Sequence, residues 1–436
     1  MRAGLLSLFF LLISLGSFSQ VSDGFKELKT FSQQKPIIPT DSSLYLDLYY
    51  QKGLHYLSPF YKAFYQRDRL IKADTALYYD NLSQAAAFVG DYASVLTLEK
   101  ETRVSPDDST KLEINQLTEL AKEIVYTDAH KYLLSRTRNS RVVMLNEATN
   151  KPLHRAFAAS LLEDLYKQGF RYLAMEMLDN TGSNAVTRVN LLTGYYCAEP
   201  VAGELIRKAL ELGYILVPYE DNNTRHTPNQ REYAQAHNLY DFLQKKDTTA
   251  KMLVYASYAH IEEGARSDNR IPMAAYFKII SGIDPLTIDQ TEMTESGNNT
   301  YTSLFYETWR HKNPLTSSVV PLKNEKAIDP FGFNLYDIHI IHPPTKFTNN
   351  RPLWMSMGGW KKEIPVEPVY KSLFMVQAYY DKEYTDANLS KSVPADQTYT
   401  DAANGYYYLY LHKGKYKLVY RDKEYAILGT KDIVVY

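Results

Sequence analysis

The chain of 436 residues has a single cysteine, Cys197, so no disulfide can form within it and its stability rests on packing in any redox environment. It also lacks an excess of either charge. With 49 Lys and Arg against 50 Asp and Glu, the formal net charge of -1 provides no field to gather nucleic acid or an anionic membrane surface. A bilayer-crossing stretch is missing too: the apolar run over residues 5–15 is shorter than the ~20 residues a spanning helix needs. That run follows one basic residue and precedes small residues ending before Gln20, the layout of a secretory signal peptide over residues 1–19. No cysteine follows it to accept a lipid. The expectation is an exported protein, periplasmic or extracellular, with no stable membrane insertion and a mature chain beginning near Gln20. What the sequence has in quantity is tyrosine, with 38 residues. Many lie in the last hundred positions, where they suit strands with one exposed face.

Three further regions follow the leader. Residues 20–125 read as a helical extension, with apolar residues at three and four spacing in "SSLYLDLYYQKGLHYLSPFYKAFYQRDRL" and "LSQAAAFVGDYASVLTLEKE". The second stretch resembles one helical-repeat hairpin, but no second copy follows at a fixed period. Residues 126–345 read as an α/β core, with strands near 142–146, 171–177, 214–219, 251–257 and 286–290 separated by helical stretches. Strand, helix, strand at this spacing predicts right-handed crossovers and a mainly parallel sheet flanked by helices. "YDIHIIHP" adds a further strand, and 296–330, rich in Asn, Thr, Lys and Pro, reads as an excursion. Residues 346–436 lose the helical period and alternate in period two, predicting a small separate β domain. Its residues Tyr406, Tyr408 and Tyr410 would form an exposed aromatic face able to dock a glycan or a protein.

Ligands of a parallel sheet collect beyond the carboxyl ends of its strands. The strand ends here deliver Glu147 in "VVMLNE", Glu176 in "YLAMEM", Glu220 in "ILVPYE" and His260 in "LVYASYAH", and His154 falls in the first turn of the helix after the first strand. Three carboxylates in one crevice repel one another, so a divalent metal (Mn, Fe or Zn), Arg231 in "QREYAQAHN", or both must balance them. Each acid alone is more often a helix-dipole or capping partner than a catalyst. Asn150 or Thr149 is expected to cap the helix that has Pro152 in its first turn. His226, His237, His339 and His342 are treated as surface or core residues.

The order "LNEATNKPLH", "FRYLAMEM", "REYAQAHNLYDFL", "KMLVYASYAHIEEG" and "RIPMAAYFK" resembles the erythromycin esterase-like, ChaN-like and TIKI/TraB-like proteins over about residues 126–295. The resemblance implies site roles for Glu147, Glu176, Arg231 and His260, with His154 in the place of the second histidine of the ChaN-like variant. Two departures stand out. Asn146 replaces the usual glycine before the first glutamate, and Thr149 and Asn150 stand where the first histidine would be.

Two functions remain open on this reading. The first is a hydrolase of an ester or amide, in a small molecule or a peptide, with His260 or His154 as general base, Arg231 steadying negative charge, and the glutamates orienting the histidines or holding a metal. The second is a non-catalytic binder of haem, iron or another small ligand through the histidines, Tyr219 and Tyr258. Both place Glu147 beside His154 and His260, in a group of carboxylates whose repulsion Glu147→Gln would relieve, keeping or raising stability.

Overall fold

The computed structural model describes residues 20–39, 43–102, 107–120, 124–181, 185–246, 249–264, 269–295, 305–310, 314–329 and 334–436. The expected leader and part of the 296–330 excursion lie outside them. Six strands form the central sheet: β1 (Val142–Glu147), β2 (Phe170–Met175), β3 (Ile215–Pro218), β4 (Lys251–Ser257), β5 (Leu286–Asp289) and β6 (Ile338–His339). Their order is β6-β5-β1-β4-β2-β3, and every pairing is parallel. β1 is paired on both sides and buried at all six positions, which is why its sequence is apolar without alternation. Its period of two persists in what it touches. Val143 and Leu145 join one hydrophobic cluster, and Val142 and Met144 join the other.

The crossover helices cover both faces. Residues of α1 (Pro152–Lys167) and α2 (Pro200–Leu212) belong to the first cluster, and those of α3 (Pro228–Lys246) and α4 (Met273–Ser281) to the second. Helix α2 starts where the Glu199 carboxylate accepts the Val201 and Ala202 amides, and it stops at Gly213 in the left-handed region. Helix α1 begins differently from expectation. Lys151 occupies the N-cap without a side-chain bond, and Pro152 fills the first turn. Asn150 does not cap: its amide donates to Ser83 Oγ at 3.0 Å and Glu99 Oε1 at 2.8 Å on the preceding helices. Thr149 offers its carbonyl to Arg155 at 2.7 Å.

Before the sheet, the helices Asp23–Gln34, Ser58–Tyr65, Arg67–Ala73, Thr75–Phe88, Tyr92–Leu98 and Asp108–Leu120 form the extension. After it come a four-stranded antiparallel sheet (Asp396–Thr398, Met375–Tyr380, Gly414–Arg421, Ile427–Val435) and a two-stranded one (Lys362–Val366 with Tyr407–Leu411). The expected separateness of this C-terminal part does not match its packing. Phe374, Met375, Val393, Tyr399 and Tyr425 share one hydrophobic cluster with Phe25, Leu28, Phe60 and Phe88 of the extension and with Phe157 and Leu161 of α1. Polar ties reinforce it: Gln397 Nε2 donates to the Phe88 carbonyl at 2.7 Å, Tyr399 donates to Asp91 at 2.8 Å, and Arg207 of α2 pairs with Glu383 at 2.8 Å. Gly90, at φ +74°, lies where a Cβ would be 2.6 Å from the Gln397 carbonyl oxygen. The aromatic face is also smaller than expected. Tyr406 is exposed and Tyr408 partly so, but Tyr410 is 2% exposed and directs its hydroxyl to Glu363.

Candidate functional site

The carboxyl ends of β1, β2, β3 and β4 open on one crevice of about 320 Å³, lined by Glu147, Glu176, Glu220, Arg231, His260 and Tyr258 among others. Arg231 comes from the first turn and a half of α3 and draws two carboxylates together. Its Nη2 reaches Glu176 Oε1 at 2.7 Å and its Nε reaches Glu220 Oε1 at 2.9 Å. The other oxygen of Glu176 accepts from the Ser257 amide at 2.7 Å and hydroxyl at 2.8 Å. Burial alone would raise the Glu176 carboxyl, but His260, Arg231 and the Ser257 donors outweigh it and hold it below the usual carboxylate value. It is therefore an anion at neutral pH.

His260 sits in the short 3-10 turn Tyr258–Ile261 that follows β4. Its Nδ1 faces Glu232 Oε2 at 2.8 Å, and the same oxygen accepts the Met273 amide at the start of α4. That carboxylate fixes Nδ1 as the protonated nitrogen and leaves Nε2 directed at Arg231 Nη1 (3.2 Å) and Glu176 Oε1 (3.4 Å). Burial acts to lower the imidazole pKa, but the Glu176 charge and the Glu232 bond outweigh it, so the pKa is raised despite the opposing Arg231 charge. Tyr258, which starts this turn, holds a left-handed backbone at φ +43°. Such strain persists only where neighbours over-determine it. Asn146 supplies part of that restraint, donating to the Tyr258 carbonyl at 2.9 Å and to Asp289 Oδ1 at 2.8 Å while accepting the Gln290 amide at 2.8 Å. A glycine at 146 could make none of these side-chain bonds, so the asparagine there has a structural use.

Glu147 lies in the crevice wall but not beside a histidine. Arg155 grips both its oxygens, with Nε to Oε2 at 2.8 Å and Nη2 to Oε1 at 2.9 Å, and reaches Glu199 through Nη1 at 3.1 Å. Arg155 is fully buried and Glu147 is 2% exposed. His154 does not line the crevice, contrary to expectation. One helical step from Arg155, it turns under the loop, where Nδ1 accepts the Ala148 amide at 3.0 Å and the ring stacks on His342 at 5.5 Å between centroids. Burial first, then the neighbouring His342, Lys151 and Arg155, holds it well below its usual pKa and hence neutral. Tyr219 is likewise fully buried, with its hydroxyl on the Tyr255 carbonyl at 3.2 Å.

Arg155, Glu199 and Glu232 are site residues the strand-end reading missed. Two were detectable as immediate neighbours of chosen residues: Arg155 follows His154, and Glu232 follows Arg231. The expected metal ligands Glu147, His154, Glu176, Glu220 and His260 do not fit a metal. Both oxygens of each of the three carboxylates are engaged by Arg155, by Arg231 or by Ser257, and His154 is elsewhere. Among the described residues no group of three or more His, Cys, Asp or Glu side chains converges to hold one. Haem fits no better, since His154 and Tyr219 are buried away from the crevice and both nitrogens of His260 are engaged. Two arginines perform the charge balancing that a metal was expected to share.

No family model matches the chain, and no curated protein does. Among solved structures it is similar to a bacterial protein toxin at 15% identity and TM-score 0.29, over 65% of each chain. A second bacterial protein toxin matches at 13% identity and TM-score 0.30, over 63% of this chain and 67% of that one. The third, RRSP, a MARTX toxin effector domain from Vibrio vulnificus CMCP6, matches at 14% identity and TM-score 0.28 over 61% of each chain. The chain thus spans less than two thirds of the first and third of these, and likeness at such TM-scores transfers no activity. None of the three is described as erythromycin esterase-like, ChaN-like or TIKI/TraB-like.

Proposed function

We propose that the chain is an exported hydrolase of the erythromycin esterase-like, ChaN-like and TIKI/TraB-like kind, acting on an ester or amide without a bound metal. The observation that carries this reading is the Glu232–His260 pair at the end of β4, whose Nε2 lies at the crevice against Arg231 Nη1 at 3.2 Å. Glu232 orients the ring, and His260 Nε2 takes a proton from water as the water attacks a carbonyl carbon, then returns it to the alcohol oxygen or amine nitrogen as the bond to that carbon breaks. Arg231 Nη1, beside that nitrogen, steadies the charge that develops on the carbonyl oxygen. Glu176 holds Arg231 in place, and Arg155 keeps the Glu147 end of the wall neutral. Export is supported by the leader pattern of residues 1–19 alone, and among the described residues no helix is long and apolar enough to cross a membrane.

Hydrolysis of p-nitrophenyl acetate tests the reading. His260→Ala should lose about 10²- to 10⁴-fold in rate, and Glu232→Gln should lose part of that. Because the charged form of His260 is favoured, the parent rate should climb as pH rises through a value above 6.5, and EDTA should leave it unchanged. A His260→Ala variant as fast as the parent would reject the proposal. A non-catalytic binder of small ligands is the second reading, favoured by Thr149 and Asn150 standing where the family's first histidine would be.

A further inference from the structure

A second and larger cavity, about 800 Å³, opens beside the crevice. Its walls come from the helical extension (Tyr45, Asp47, Tyr49, Asp80) and from the loops after β1 and before α2 (Thr149, Asn150, Tyr195, Tyr196). Thr149, Tyr196 and Tyr258 line both cavities, so the two adjoin across these residues. The chemistry of the larger chamber differs sharply from that of the crevice. Its tyrosines stand edge to face, Tyr49 on Tyr195 at 6.0 Å and Tyr195 on Tyr196 at 5.1 Å. Burial, then Asp47, pushes the Tyr49 phenol up to about 12, so the ring stays neutral and presents an electron-rich face.

Two carboxylates share that wall. Asp47 is exposed and spends one oxygen on the Tyr49 amide at 2.9 Å. Asp80 is half-buried, and among the described residues it has no hydrogen-bond or ion-pair partner. Among the described lining residues the one lysine, Lys62, is only 5% exposed. Among the described residues of the lining, an incoming anion therefore meets no cation beyond the buried Lys62, whereas an incoming cation meets tyrosine rings and the Asp80 carboxylate.

We infer that this chamber binds an organic ammonium group, held by Asp80, Asp47 and the faces of Tyr49, Tyr195 and Tyr196, on a ligand long enough to reach the crevice. Where the inference makes that ligand a substrate it rests on the hydrolase reading; as a binding site it stands alone. The arrangement combines cation–π attraction with a carboxylate of partly desolvated surroundings, and the extension is then the specificity element of the molecule.

Calorimetric titration of the His260→Ala chain with acetylcholine and with its uncharged isostere 3,3-dimethylbutyl acetate tests binding without turnover. The cation should bind about tenfold more tightly than the isostere, and Asp80→Asn should remove most of that preference. Asp47→Asn, on an exposed side chain, provides a second reading should Asp80→Asn unfold, and should reduce the preference by a smaller factor. Equal affinities, no binding of either ester at millimolar concentration, or a preference that survives both substitutions would overturn the inference. Cation preference without any hydrolysis by the parent sinks the hydrolase reading and leaves this one standing; hydrolysis without cation preference does the reverse.

Discussion

At the scale of residues, the site is organised by arginines. Arg155 holds Glu147 by two bonds and Glu199 by one, so an amide at 147 leaves one buried guanidinium N–H facing an NH2 that cannot accept it. Glu147→Gln should therefore destabilise the chain by about 3 kcal/mol in urea unfolding, the opposite sign from that expected of a repelling carboxylate cluster. A variant as stable as the parent would show that the Arg155 bonds carry no such coupling. The strand-end acids were legible in sequence because a buried parallel strand leaves only its last position free for a polar side chain. The phase of the next helix was not, because His154 and Arg155 differ by one step of about 100° and the apolar residues around them do not say which one faces the crevice. Asn150 shows a related limit. Its type and place fit a cap, yet Glu99, 51 positions earlier, supplies a better partner than the helix amides.

At the scale of elements, one close junction is the turn at Gly90 between the helices Thr75–Phe88 and Tyr92–Leu98. Gly90→Ala meets both the left-handed backbone and a carbonyl 2.6 Å away, and should lose more than the ~1–2 kcal/mol that conformation alone costs. Gly282, at φ +68° with nothing within 4 Å of a built Cβ, is the matched control, and its alanine variant should lose only the conformational part. Equal losses in urea unfolding would show that the Gln397 carbonyl moves aside freely. The strands of the sheet were legible to within a few residues, and so was the alternation of the C-terminal strands. Alternation announces that one face is buried, but not what buries it. The covering surface turned out to be the extension and α1.

At the scale of the whole molecule, the first and last hundred residues are halves of one interior. A chain ending at residue 345 leaves Phe25, Leu28 and Phe60 without Phe374 and Tyr399, and should lose its near-ultraviolet circular dichroism and cooperative thermal transition. A truncated chain melting at the parent temperature would restore the idea of a separable C-terminal unit. The same closure governs the order of events during synthesis. Tyr61 bonds the Lys423 carbonyl 362 positions away, and Lys35 reaches Glu424 across 389. Contacts of such span form late and slowly, because the loop entropy is spent before they repay it. The amino-terminal helices thus emerge from the ribosome long before their partners exist, and their packing is completed only when the last strands have been made.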